Sequence, residues 1–115
     1  MNSPPVLRDT SFPEPADTET RTRYIPLYHI ILFNDDYHTI EWVVAVLCQA
    51  LGQSLEKAVR HALEANDTGR AVVWSGSREV AELKLDQIRT FHEIREPDGV
   101  DLGPLECTIE PAPGA

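Results

Sequence analysis

Apolar and polar positions change period several times between residues 24 and 110, and each change marks an element. Tyr28 to Phe33 (YHIILF) is a short apolar and aromatic run. Pro26 precedes it and Asn34, Asp35 and Asp36 follow, the boundaries of a strand that ends in a turn. Thr39 then offers a helix cap and Glu41 suits the positive end of the helix dipole; Gly52 supplies a stop, which predicts a helix over Ile40 to Leu51. Val43, Val44 and Val46 pull toward strand, but length and two caps decide for helix. Trp42, Val43, Val44, Val46 and Leu47 make it apolar nearly all round, so it should be buried on several sides.

Ser54 caps a second helix, in which Leu55, Ala58, Val59, Ala62 and Ala65 recur at helical spacing until Asn66-Asp67-Thr68-Gly69 breaks the pattern. Ala71 to Trp74 reads as a short strand, and Ser75-Gly76-Ser77 as a turn and cap for a third helix over about Arg78 to Phe91. His92 to Gly103 reads as an acidic loop, and Leu105 to Ile109 alternates as a half-buried last strand should. The order β-α-α-β-α-β, three short strands with three helices on one face, is an α+β two-layer sandwich.

Length allows one such domain in 115 residues. Residues 1 to 23 hold Pro4, Pro5, Pro13 and Pro15 among Ser, Thr and acidic residues, with too little apolar content to offset chain ordering. They are expected to form a disordered N-terminal arm, with 24–110 the working domain and 111–115 a flexible tail. Charge narrows the function classes. Lys and Arg total 10 against 19 Asp and Glu, a net charge of −9. No basic run occurs, which argues against nucleic acid and anionic membranes as partners. The N-terminus lacks a signal-peptide pattern and no stretch approaches the ~20 apolar residues of a span, so a cytoplasmic protein is expected. Cys48 and Cys107 have no CxxC spacing, and buried reduced thiols are the expectation.

Asn34-Asp35-Asp36 is the densest polar cluster beside apolar sequence. Adjacent carboxylates serve general acid–base work, bind a divalent cation, or accept hydrogen bonds from an ammonium group. No GxSxG, HExxH or Walker A pattern accompanies them, and no calcium loop. A turn that bonds only its own backbone is the plainer alternative. The histidines, His29, His38, His61 and His92, are spread one to an element. Glu79, Glu82 and Asp86 share one side of the third helix, the pattern of a solvated face, with Lys84 along its flank.

The run YHIILFNDDYHTIEWVV, then GRAVVW and EVAELK, resemble the ClpS family, bacterial adaptors of the Clp protease system. The resemblance covers about residues 24 to 91 and resumes in PLECTIE at 104 to 110. It implies the same α+β fold and a non-enzymatic role without a cofactor. The role is to bind proteins through a destabilising first residue (Leu, Phe, Tyr or Trp) and deliver these N-degron substrates to an AAA+ Clp unfoldase. Carried over by position, Asn34, Asp35 and Asn66 would hold the substrate's free α-amino group. His38, Ile40, Val43, Ala62, Ala65 and Leu105 would line the side-chain pocket, and Glu79, Glu82 and Lys84 would dock the unfoldase. No metal ligand is implied, and a monomer is expected.

Several positions depart from the family's usual pattern. Asn66 stands where members usually carry histidine, Ile40 where a Met-like gate is usual, and Ala62 and Ala65 where bulkier apolar residues are usual. The proline that commonly follows the aromatic of the turn is absent. A wider pocket mouth that also admits Ile and Val is therefore expected. Two other readings stay open: a diverged regulator that docks on the unfoldase without reading N-terminal residues, and a metal-dependent hydrolase centred on Asp35 and Asp36.

Overall fold

The computed structural model describes residues 26–113; the arm expected at 1–23 lies outside them. Strand β1 (Tyr28–Phe33) leads through the acidic turn into helix α1 (Ile40–Leu51), followed by α2 (Leu55–Thr68), β2 (Arg70–Gly76) and α3 (Arg78–Ile88). Two short strands, β3 (Ile94–Arg95) and β4 (Val100–Asp101), precede the last strand, β5 (Cys107–Pro111). β1 lies between β2 and β5 and pairs antiparallel with both. The α+β two-layer sandwich is as expected.

Local chemistry accounts for the helix starts. The hydroxyls of Thr39, Ser54 and Ser77 each accept from a backbone N–H in the first turn of α1, α2 and α3, those of Trp42, Lys57 and Val80. α1 and α2 end at Gly52 and Gly69, with φ of 67° and 97°, a left-handed conformation in which a Cβ would be strained. The helices and one face of the sheet bury a single cluster. Ile30 and Leu32 of β1 and Ala71 and Val73 of β2 meet Val44, Leu47, Ala58, Ala62, Ala81, Leu85 and Ile88. The alanine positions of α2 let that helix approach the sheet closely, which matters for the cavity described below.

Five boundaries differ from the sequence-based expectations. α2 continues through Asn66, Asp67 and Thr68, where the sequence suggests a break, and closes with the Gly69 N–H donating to the Ala65 carbonyl at 2.9 Å. α3 stops at Ile88 because Thr90 and Phe91 donate backbone N–H bonds to Gln87 and Ile88, three residues back, tightening the last turn. β2 runs on through Ser75 and Gly76, whose turn-like composition is overridden by pairing with His29 and Tyr28. The loop at 92–103 contains the β3–β4 hairpin, in which Ile94 faces Asp101 and Arg95 faces Val100. Strands of two residues carry no readable alternation. β5 begins at Cys107, leaving Leu105 outside the strand, and it extends through Pro111, opposite Tyr28. Ala112 then donates to the Leu27 carbonyl, so Pro111 and Ala112, placed in the tail by sequence, join the sheet edge.

β2 carries a bulge. Ile30 pairs with Trp74 and Ile31 with Val72, so Val73 has no partner across the ladder. Gln53 Nε2 donates to the Val73 carbonyl at 2.6 Å, while Gln53 Oε1 accepts from His61 Nδ1 at 3.0 Å. Burial first, then the charges of Lys57 and Arg60, lowers the His61 pKa below 6.5. Replacing Gln53 with alanine leaves both groups unpaired and is expected to cost about 1 kcal/mol in urea unfolding. Because the folded state holds His61 with a depressed pKa, its contribution is present above pH 6.5 and is lost as the pH falls toward the folded value. A His61→Leu protein should lose that part of the acid sensitivity.

Candidate functional site

Where β1 ends, its last residues, the acidic turn, the start of α1, the second half of α2 and Leu105 enclose a cavity of about 40 Å³. Its wall contains Asn34, Asp35, His38, Ile40, Val43, Ala62, Ala65, Asn66 and Leu105. These are all nine residues that the resemblance assigned to the amino group and side-chain pocket. Leu32 and Phe33 complete it. Both were read only as strand residues, since a cavity at a strand's end leaves no mark in the alternation of the strand itself.

Backbone bonds hold the parts together. Phe33 donates to the Glu106 carbonyl at 2.9 Å, drawing the segment with Leu105 over the end of β1. Asn34 donates to the Gly69 carbonyl at 3.0 Å, bringing the C-terminus of α2, and with it Asn66, to the turn. Ala62 and Ala65 are buried, whereas Ile40 is 37% exposed at the opening. The cavity therefore has a largely aliphatic wall interrupted by the His38 ring, with Asp35 half-buried and Asn34 and Asn66 exposed at its polar edge. Asn66 Nδ2 lies 3.5 Å from Asp67 Oδ1, which turns the amide oxygen away from that carboxylate.

Asp35 organises the turn. Its Oδ1 accepts the backbone N–H groups of Tyr37 and His38 at 2.9 and 3.0 Å, and its Oδ2 accepts from His38 Nδ1 at 2.9 Å. His38 Nε2 donates to the Gly103 carbonyl at 2.9 Å, and its ring stacks on Trp42 with centroids 4.8 Å apart. Glu93 completes the link to the hairpin by accepting the backbone N–H and the hydroxyl of Thr39 at 3.0 and 2.9 Å. Burial disfavours charge on both partners but is outweighed. The His38 bond and the two backbone amides hold the Asp35 carboxyl below its ordinary value, and Asp35, Gly103 and Glu93 raise the His38 imidazole above its own. His38 and Asp35, with side chains only 4% and 17% exposed, form an ion pair whenever the ring is protonated. Trp42, Glu93 and Gly103 have no signal in the sequence as parts of this site, because the contacts cross from the hairpin to the turn.

Glu79, Glu82 and Lys84 lie elsewhere, since α3 contributes nothing to the cavity wall. Glu79 and Glu82 are exposed on α3, together with Val80 and Leu83. Glu82 accepts from Arg78 at 3.1 Å, and the Lys84 ammonium lies 5.9 Å from the centre of the Trp74 ring. Among the described residues no group of three or more His, Cys, Asp or Glu is arranged to hold a metal ion, and no helix is long and apolar enough to cross a membrane. Cys48 and Cys107 are free thiols; burial pushes Cys107 up to about 12, far from the thiolate form.

The family model described as ATP-dependent Clp protease adaptor protein ClpS matches residues 23–108. The ATP-dependent Clp protease adapter protein ClpS of Desulforapulum autotrophicum is 36% identical over 110 residues, covering 96% of each chain. That of Xanthomonas campestris pv. campestris is 38% identical over 107 residues, 93% of this chain and 89% of its own. Among solved structures, Agrobacterium tumefaciens ClpS2 bound to L-phenylalaninamide matches with a TM-score of 0.64 and 31% identity, over 77% of this chain and all of that one. The family and the two sequence relatives are named as adaptors, a role without catalysis, and the sandwich described above is shared with the solved structure. With three-quarters of its length matched by the family model and relatives this similar along nearly all of it, the chain belongs to the ClpS family of ATP-dependent Clp protease adaptors.

Proposed function

We propose that this cavity binds the first residue of a protein chain, reading the free α-amino group at the rim and an apolar side chain within, and that α3 carries the captured protein to an AAA+ Clp unfoldase. The observation that carries this reading is that Asn34, Asp35 and Asn66 share the wall of one cavity with the apolar side chains of Leu32, Ile40, Val43 and Leu105. An ammonium group has three donors. Two amide oxygens and a carboxylate supply acceptors for all three, one of them charged, whereas an internal peptide N–H offers one donor and no charge. The solved relative holds L-phenylalaninamide, a ligand with a free α-amino group and an apolar side chain, and this supports the same ligand class here. Soluble cytoplasmic action as a monomer fits the reading.

The test is a titration with peptides starting Leu, Phe or Ser, each with free and acetylated N-termini. Binding of the free Leu and Phe peptides, lost on acetylation, is the expected result. Equal affinity for acetylated and free peptides would overturn it and favour a regulator that docks on the unfoldase without reading N-termini.

Delivery is expected to depend on a different surface. Reversing both exposed charges, Glu79→Lys with Glu82→Lys, should abolish unfoldase-dependent degradation of a Leu-initiated reporter while changing peptide affinity less than twofold. Both side chains are exposed, but Glu82 pairs with Arg78 and Glu79 lies in the first turn of α3, so stability should fall by about 1 kcal/mol without unfolding the protein. Docking through these carboxylates should also weaken as ionic strength rises.

A further inference from the structure

Both ring nitrogens of His38 face groups that only accept hydrogen bonds. Nδ1 is 2.9 Å from the Asp35 carboxylate and Nε2 is 2.9 Å from the Gly103 carbonyl. A neutral imidazole has one N–H and one lone pair, so one of these contacts would then set a lone pair against an oxygen. Satisfying both requires the imidazolium. The charged groups around the ring are Asp35 from its own turn and Glu93 from the hairpin; α1 presents the uncharged Trp42 ring, and the 102–105 segment the Gly103 carbonyl.

The consequence falls on Asp35. A carboxylate has about four lone-pair positions. Two on Oδ1 are taken by the Tyr37 and His38 amides; the His38 Nδ1 proton takes one on Oδ2 at 2.9 Å, leaning also toward the already occupied Oδ1 at 3.1 Å. What is left is a single lone pair on Oδ2, and its direction is set by where the ring pins that oxygen. The same ring anchors Gly103, whose carbonyl also accepts the Glu93 amide at 3.3 Å, and Glu93 holds the first residue before α1 through Thr39. Thus one side chain joins the turn, the N-terminus of α1 and the base of the 94–101 hairpin.

The geometry points to His38 as a positioning residue: as a doubly protonated ring it aims the free lone pair of Asp35 at the ligand's ammonium group and ties the hairpin to the pocket rim. This rests on the reading of the cavity as a site for an α-amino group. When the ring loses a proton, the Asp35 contact keeps the remaining one, because the carboxylate is the stronger acceptor, and the tie to Gly103 opens. The hairpin base then stays tied to the turn only through the two Glu93–Thr39 bonds and is loosened, while the turn itself persists.

Nitrogen-15 spectra of the imidazole rings test the charge state directly. At pH 6.5 both nitrogens of His38 should be protonated, and the ring should titrate above 6.5. In Asp35→Asn its midpoint should fall. Titration at or below 6.5, or a midpoint that ignores Asp35→Asn, overturns the ion-pair link. Amide exchange in residues 93–103 should accelerate as the ring deprotonates; exchange that does not follow the His38 titration overturns the tie.

Affinity tests the positioning. His38→Phe keeps a ring on Trp42 without either N–H, and should weaken binding of a free Leu-initiated peptide about tenfold. His38→Gln, with one amide to offer Asp35, should recover part of that loss, and it serves in place of His38→Phe should the latter fail to fold. Combined with Asp35→Asn, neither substitution should weaken binding further. Independent, multiplying losses, or binding by His38→Phe within twofold of the parent, overturn the positioning role alone. Failure of the parent protein to distinguish free from acetylated peptide overturns the reading of the cavity instead.

Discussion

Asp35→Ala is expected to weaken binding of a Leu-initiated peptide by about ten- to a hundredfold, the effect of losing a hydrogen bond to a charged group worth roughly 1.5–3 kcal/mol. Isothermal titration reads this directly. The substitution also removes the acceptor of the Tyr37 and His38 amides and strands the His38 ring, 4% exposed, beside an apolar wall. Part of the loss is therefore structural. Asp35→Asn separates the two, since its amide oxygen still accepts the backbone N–H groups while the charge is gone. Binding that survives in Asp35→Asn but not in Asp35→Ala would assign the residue to holding the turn. Loss in both assigns it to the ligand.

The pair also predicts a pH window for stability. Asp35 has a lowered pKa in the folded protein, so its contribution is present above its ordinary value of 3.8 and is lost as the pH falls through the folded value. His38 is raised, so its contribution is complete below 6.5 and is lost as the pH rises through the folded value. The pair supports the fold most between those two ordinary values, and thermal melts of the parent and His38→Phe should differ most there.

A peptide series differing only at its first residue is expected to favour Leu over Gly by at least about tenfold, because burial of an aliphatic side chain stabilises by about 1.5–3 kcal/mol. The alanines decide how finely the series is graded. Ala62 and Ala65, 4% and 3% exposed, form a wall on which no side chain extends beyond Cβ, and Ile40 stands at the opening. A β-branched ligand carries its bulk at Cβ, near that opening. Ile and Val should bind within about thirtyfold of Leu, a difference of roughly 2 kcal/mol. A larger gap would mean that α2 closes on a narrow site suited to Leu and Phe. Lys and Arg should be rejected: the one carboxylate of the wall is already paired with His38, and that ring's charge repels theirs. Ala62→Leu fills the cavity from α2 and should reduce affinity for Leu and Phe while sparing Ser. Equal affinity for all three in that variant would show that the side chain binds elsewhere.

Local rules made most of the fold legible. Thr39, Ser54 and Ser77 are caps that act within their own helix turn, and Gly52 and Gly69 supply left-handed stops; α1 ends where sequence places it, while α2 runs on through Asn66, Asp67 and Thr68 to its stop at Gly69. β1 was readable because a run of apolar residues bounded by Pro26 and an acidic turn has few other uses. The chemistry of the turn, an amide and two acids in a row, was also visible, as was its ambiguity between a bonded turn and a ligand site. In the proposed reading both uses coexist at Asp35, whose Oδ1 holds the turn amides while Oδ2 keeps a lone pair for a ligand.

Other features depend on contacts between residues far apart in the chain, which no local pattern encodes. The β3–β4 hairpin is too short to show alternation and exists through its pairing and through Glu93 and Gly103 bonding to the turn. Leu32 and Phe33 become cavity wall only because Leu105, Ala62 and Ala65 stop short of them. His38, one ordinary histidine beside a turn in the sequence, becomes a charged link because folding brings the Gly103 carbonyl, 65 positions away, to its second nitrogen. Propensity and capping are properties of neighbouring residues and so are written in the sequence; a cavity and the protonation of a ring are set by which distant groups packing brings within about 3 Å, and those only the tertiary structure decides.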